Sequence, residues 1–307
     1  MSRLIALRQR IKTATTIQKT THAMQLTSMS AHARLQKKKE FIKTYKQSIK
    51  EIMQHMGLEP KESALDQSCI DQTCLNKNPF TKTGKQLIII VGSQKGLCGA
   101  FNSRLMHLFE KNYPEKEKKR LPANTTLVCI GKKIAEHLER MKLMPTHSYP
   151  TFTALNFVDI AHELERLIFS ETGSKAESYH TVTIYSNHPQ TFFIQKSTIT
   201  VMHRQLLQEQ ARLVSDEEQA AENAQDPYHY EQPLHELREK IQRIYFKACL
   251  EEILFNSLVA EQASRFIAMD SATRNAETIL NDMQRDYNKL RQTSITRELT
   301  DLAGGIL

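Results

Sequence analysis

The placement of glycine and proline constrains this chain more than any other feature. All nine prolines fall between Pro60 and Pro233. Seven of the nine glycines fall between Gly57 and Gly173, and the other two are Gly304 and Gly305. Residues 1–56 and 234–303 contain neither. In a helix interior Gly costs ~1 and Pro ~3 kcal/mol relative to Ala, so two long stretches free of both predict two long helices. At ~1.5 Å per residue the first would span roughly 84 Å and the second roughly 105 Å, against ~30 Å for a small domain. The expectation is two rods and an inserted domain, and a single compact globule is excluded.

Both rods carry a stripe that one helix cannot bury alone. In the first it runs through Leu4, Leu7, Ile11, Ala14, Ile17, Thr21, Met24, Ser28, Ala31, Leu35, Lys38, Ile42, Tyr45, Ile49, Ile52 and Met56, in steps of three and four with one slip at Ile17. In the second it includes Leu237, Ile241, Ile244, Ala248, Phe255, Leu258, Gln262, Phe266, Met269, Thr273, Ala276, Leu280, Met283, Tyr287 and Leu290. The insert joins the end of one rod to the start of the other, so antiparallel packing is the simplest connection. Alignment at the insert end leaves the last ~20 Å of the second helix unpaired.

The middle reads as α/β. Strands are expected at 86–91, 125–130, 181–185 and 191–201, with helices at 99–111, 132–141 and 157–170, an alternation that favours a mainly parallel sheet. The predicted fold class is an antiparallel coiled coil of long N- and C-terminal helices with an inserted Rossmann-like α/β domain. Its segments are an N-terminal helix at 1–57, a linker at 58–84, the central domain at 85–205, an acidic linker at 206–233 and the C-terminal helix at 234–307.

Charge is unevenly placed. The net +8 combines 42 Lys/Arg with 34 Asp/Glu. Residues 1–59 hold 12 Lys/Arg and three Asp/Glu, so this segment alone carries +9, and no acid precedes Glu40. Such an arm suggests an acidic protein surface, nucleic acid or anionic lipid as partner. No apolar run approaches the ~20 residues of a membrane span. Met1–Lys12 lacks a signal-peptide core, and the reading is a cytosolic chain. Five scattered cysteines, with Cys69 and Cys74 the nearest pair, read as ordinary thiols rather than a disulfide framework or zinc site.

The motifs of catalysis are missing. The loop Gly92-Ser-Gln-Lys-Gly96-Leu-Cys-Gly99 follows a strand and precedes a helix, as a phosphate cradle does. A nucleotide loop ends in Gly-Lys-Ser/Thr, whereas Leu97 and Cys98 follow Gly96 here. Twelve histidines include no His-Glu-x-x-His pair, and no Gly-x-Ser-x-Gly occurs. The chain is expected to have no catalytic centre, cofactor or metal of its own. The basic cluster Arg34, Lys37, Lys38, Lys39 lacks the aromatic residues of a single-strand binder.

Three separated segments carry a resemblance to a known family. Glu261-Gln-Ala-Ser-Arg265-Phe-Ile-Ala-Met269, Ala272-Thr-x-Asn275-Ala276, Tyr287-Asn-Lys289 and Arg291-Gln-x-Ser-Ile-Thr-x-Glu298 resemble the C-terminal signature of F-type ATP synthase gamma subunits. Gly96-Leu-Cys-Gly99-x-x-Asn102 resembles their central motif, and Ile17-Gln-Lys-Thr with Ala23-Met24 their N-terminal helix. Gln94-Lys95 stand where that family usually has Asp-Arg, and Arg274 where a carboxylate is common.

What the resemblance implies is a rotor. The two helices would form the central stalk inside a ring of three alpha and three beta subunits, with the α/β domain at its base against the c ring and epsilon. The location would be peripheral, on the cytoplasmic face of a bacterial inner membrane. Met24, Arg265, Gln292 and Thr296 align with positions that contact the hexamer. Ile295 and Leu299, with Leu302, Ile306 and Leu307, would form an apolar tip. Arg34, Lys37, Lys38 and Lys39 would face acidic loops, and Asn187 would lie near the foot. The alternatives are a basic coiled-coil adaptor for nucleic acid, and an independent NTPase using residues 92–99.

Overall fold

The computed structural model describes residues 2–56, 58, 85–112, 124–169, 179, 181–203 and 234–304. Two helices dominate them, α1 (Ser2–His55) and α5 (Leu234–Gly304). Between them in sequence lie β1 (Gln86–Val91), α2 (Phe101–Asn112), β2 (Thr125–Ile130), α3 (Lys132–Arg140), β3 (His147–Tyr149), α4 (Phe157–Phe169), β4 (Thr181–Pro189) and β5 (Gln195–His203). The chain forms two compact units: Met1–Ala31 with Arg265–Leu307, and His32–Ser264.

In the larger unit five strands lie in the order β3-β2-β1-β4-β5. All neighbours are parallel except β4 and β5, which form an antiparallel hairpin from Thr181↔His203 to Pro189↔Gln195. β1 is central and wholly buried, which is why its residues read as a continuous apolar run rather than an alternating one. Leu87, Ile89 and Val91 face one core with α4, the base of α1 and the Tyr245–Val259 stretch of α5. Ile88 and Ile90 face the other, against Leu105, Met106 and Phe109 of α2 and Ile134 and Leu138 of α3. The long helices thus supply one of the two helical layers on the sheet. Accordingly α5 is buried nearly all round from Tyr245 to Ala263, as a core helix must be.

α1 and α5 run antiparallel in each unit. In the larger, Arg238 Nη2 donates to the Met56 carbonyl at 3.2 Å and Lys46 Nζ meets Glu252 Oε2 at 2.6 Å. In the smaller, Gln25 Nε2 donates to Asp270 Oδ1 and Thr273 Oγ1 to Thr21 Oγ1, both at 2.9 Å.

The buried face of α1 differs from the expected stripe. Half-buried or buried positions recur at 4, 11, 18, 25, 32, 39, 46, 53 and at 7, 14, 21, 28, 35, 42, 49, 56. These are two unbroken heptad series without the slip placed at Ile17. Ile17, Tyr45 and Ile52 are about half exposed and Lys38 is exposed. Gln18, Lys39, Lys46 and Met53 occupy the seam instead.

The strand expectations need three adjustments. β3 pairs with β2 at Val128–Ile130 and was not anticipated. β4 continues past Tyr185 to Pro189, and β5 begins at Gln195 rather than Thr191. Residues 190–194 are the hairpin turn, closed by Gln190 and Thr191 N–H groups on the Ile194 carbonyl. Linkers 58–84 and 206–233, apart from Leu58, and Cys69 with Cys74, lie outside the described residues.

Candidate functional site

The glycine-rich loop sits where β1 ends, next to the point at which strand order reverses. In open parallel sheets that crevice is where ligands bind. Here the chain fills it with its own groups. Asn102, on the first turn of α2, accepts the Ser93 N–H on Oδ1 at 3.0 Å, and its Nδ2 donates to Ser93 Oγ at 2.7 Å and toward Cys98 Sγ at 3.4 Å. Asn187 of β4 donates to the Phe101 carbonyl at 3.2 Å and accepts the Ser197 hydroxyl at 2.6 Å. Lys133, in the first turn of α3, gives its N–H to the Ser93 carbonyl at 3.2 Å. A helix-start donor that would otherwise be open to an anion is thereby engaged.

Backbone geometry makes the closure possible. Gly131, which precedes α3, has φ +98° and lies so close to the Gly92 carbonyl that a Cβ would come within 2.7 Å of that oxygen. Gly99 has φ +57° and Leu97 φ +62°; the left-handed region suits glycine and strains a branched side chain. The turn at Leu97–Gly99 directs Cys98 inward, 3% exposed, against Phe101 and Ala260 of α5. Leu97 is left pointing outward at 60% exposure. Gly96 needs no such freedom, since a Cβ there meets only the end of Lys133 at 3.8 Å. The loop is therefore a buckle that ties β1, α2, α3, β4 and α5 together. That closed network is what Gly92, Gly99 and Gly131 serve.

The remaining sequence-predicted residues are not brought to one place. Arg34, Lys37 and Lys38 are exposed on α1, while Lys39 turns into the seam, half-buried. Asn187 is 3% exposed and fully engaged within the fold. Met24 is half-buried, and its carbonyl accepts the hydroxyls of Thr27 and Ser28. Arg265 is 6% exposed. Gln292 and Thr296 are exposed, with Ile295 at 49% and Leu299 at 62%. Ile306, Leu307 and the side chain of Leu302 lie outside the described residues.

The hydroxyls at the threonine-rich end of α5 turn back onto their own helix. Thr293, Thr296 and Thr300 each donate to the carbonyl four residues earlier at 2.8–3.0 Å. On α1, Thr13, Thr15, Thr16 and Thr20 do the same. A hydroxyl satisfied by its own helix asks nothing of a partner surface. Within the smaller unit an apolar groove opens between Ala14 and Ile17 of α1 and Ala276, Ile279 and Met283 of α5.

Sequence reasoning missed the organising role of Asn102, although it lies in the quoted motif. It also missed Ser93 and Ala260, for which spacing offered no signal. Among the described residues no group of His, Cys, Asp and Glu could hold a metal ion, and no helix is long and apolar enough to cross a membrane.

The chain has relatives among known proteins. The family model for ATP synthase matches residues 3–307. The ATP synthase gamma chain of Chlorobaculum parvum is 27% identical over 99% of this chain and 98% of its own length. That of Clostridium kluyveri is 26% identical over 98% and 96%. Among solved structures, a chain of the Euglena gracilis mitochondrial ATP synthase has a TM-score of 0.67 at 12% identity, covering 99% of this chain and 94% of that one. A chain of the Tetrahymena thermophila mitochondrial central stalk and c ring has a TM-score of 0.55 at 19% identity, over 82% and 98%. At these identities the structural likeness speaks for the fold.

Proposed function

The chain belongs to the gamma-chain family of ATP synthases, and from that premise we propose that it is the central-stalk rotor subunit of such a complex. It transmits rotation between an ion-driven c ring and an alpha-beta hexamer. The carrying observation is the antiparallel pair of 54- and 71-residue helices, which contains no proline and no glycine before Gly304. A helix that carries torque cannot contain a hinge, and each breaker would weaken it by ~1–3 kcal/mol.

In this reading the chain is non-catalytic, with ATP chemistry on the beta subunits. Its seat is peripheral, on the cytoplasmic face of a bacterial inner membrane, with alpha, beta, epsilon and the c ring as partners. Met24, Arg265, Gln292, Thr296, Ile295 and Leu299 are the proposed hexamer contacts. Arg34, Lys37, Lys38 and Lys39 are the proposed electrostatic set, of which Lys39 is half-buried. The back-bonded threonines of α5 keep adhesion low, so that no one orientation traps the rotor.

The test is a rotation assay. A bead is attached at Leu155→Cys, a position 89% exposed in the loop after β3, on a reconstituted complex held by its hexamer. ATP should drive unidirectional turning in steps of about a third of a revolution, as threefold symmetry of the ring requires. ATP hydrolysis with a stationary bead, or failure of the chain to join the hexamer, would refute the reading.

A further inference from the structure

The polar residues of the α1 seam are not scattered. His32, Lys39 and Lys46 occupy successive positions of one heptad series, and in the larger unit they meet the β4–β5 hairpin and α5. The His32 ring packs against Phe192 of the hairpin turn, centroids 4.8 Å apart and nearly perpendicular. Phe192 packs in turn on Phe193 at 5.1 Å. His188, near the end of β4, pairs with Lys196 across the ladder and is half-buried within the fields of Lys39 and Glu252. Gln195 bridges the turn to α5, donating to the Phe192 carbonyl at 2.8 Å and accepting the Ser264 hydroxyl at 3.0 Å.

We propose that this hairpin turn is a proton-operated latch, seated on α1 while His32 and His188 are uncharged and released when both imidazoles are protonated beside Lys39. The charge arrangement leaves little room for a second or third cation. On α1, Lys39 lies one heptad from His32 and acts on both rings. On β5 the residue opposite His188 is another ammonium, Lys196. On α5 the acid acting on His188 is Glu252, which is already bridged to Lys46 at 2.6 Å. Arg34, Lys196 and Glu261 also carry interactions of their own. Burial first, and then Lys39, hold both imidazoles below their ordinary value.

The sign follows from linkage. The seated hairpin binds fewer protons than the released one, so seating is fully favoured above the ordinary histidine value of ~6.5. It is lost as pH falls through the lower values of the seated state. Release would free Phe193 and Ile194, already 73% and 55% exposed, together with the buried face of Phe192. The inference goes beyond the rotor reading and stands without it.

Hydrogen exchange of the full-length chain, corrected for the intrinsic pH dependence, reads the latch directly. Protection of the Ser186–Lys196 amides should fall by up to about a hundredfold between pH 7.5 and 5.5, the scale set by two protons, one on each imidazole, taken up over the pH unit below ~6.5. Protection of β1 and β2 should not change. His32→Phe with His188→Gln should hold the hairpin seated at both pH values. Lys39→Gln should shrink the pH dependence without abolishing protection at pH 7.5. Constant protection across the range would overturn the proposal, as would an undiminished pH dependence in the double variant. If that variant does not fold, an unchanged slope in Lys39→Gln overturns it alone.

Discussion

Replacing Gly92 by alanine tests the buckle where it is tightest. Gly92 does not have a positive φ, so its requirement is space alone. A Cβ there would overlap Ile134 Cγ1, sit 2.8 Å from Ile134 Cδ1 and lie 3.0 Å from Asn102 Oδ1. Ile134 has no exposed surface and is β-branched, so its χ1 is stiff within α3 and it cannot swing aside. Overpacking of this kind costs ~1–3 kcal/mol. Ile134→Ala alone removes the obstructing atoms but leaves a cavity, at ~2–5 kcal/mol. Together, the new methyl enters the vacated space, and the double variant should be more stable than the sum of the singles by ~1–3 kcal/mol. Opening free energies of β1 and α3 from native-state hydrogen exchange measure this locally, free of the signal of the long helices. Additivity within ~0.5 kcal/mol would refute the claim that α3 closes on β1 through this glycine.

Three further outcomes are expected. Asn102→Ala leaves the buried Ser93 N–H without its acceptor and should cost ~2–3 kcal/mol in the same exchange measurement. Arg243→Ala removes a 2.8 Å ion pair to the mostly buried Glu165 and a cation–π contact with Phe169. Because the guanidinium is 38% exposed, the loss should be ~1–2 kcal/mol rather than the value of a fully buried pair, seen as lowered protection of α4. Cys98, Cys129 and Cys249 are buried, and burial pushes the Cys249 thiol up to about 11 and raises that of Cys129. Site-resolved mass spectrometry after thiol alkylation at pH 8 should find all three unmodified until the chain is denatured.

Much of the fold was legible because its signals are local. β1 and β2 are buried on both faces, and such strands read as short apolar runs whatever they pair with. β3 was illegible for the opposite reason. His147-Ser-Tyr149 is an edge strand of three residues, largely exposed, and only pairing with Val128–Ile130 makes it a strand. The hairpin was half legible. Its apolar residues continue through Phe192–Ile194, so the run looked like strand, whereas backbone bonds to the Ile194 carbonyl make it the turn. At the site, the sequence showed a glycine loop without the Lys-Ser/Thr that ends a nucleotide loop. That the loop is closed by Asn102, Asn187 and Ala260 required groups distant in sequence to meet.

The sequence by itself determined the two breaker-free helices, the inserted α/β domain, the basic first segment and the family signature. Each of these depends on composition or on residues near one another in the chain. Which face of α1 is buried was decided by tertiary structure. At 17/18, 45/46 and 52/53 an apolar residue stands beside its neighbour in the true seam, and adjacent positions on a helix point ~100° apart. Pattern alone chose Ile17, Tyr45 and Ile52. In the structure Gln18, Lys46 and Met53 are turned inward instead. A polar side chain can be held in a seam when it finds a partner there, as Lys46 does in Glu252, and that partner lies more than two hundred residues away.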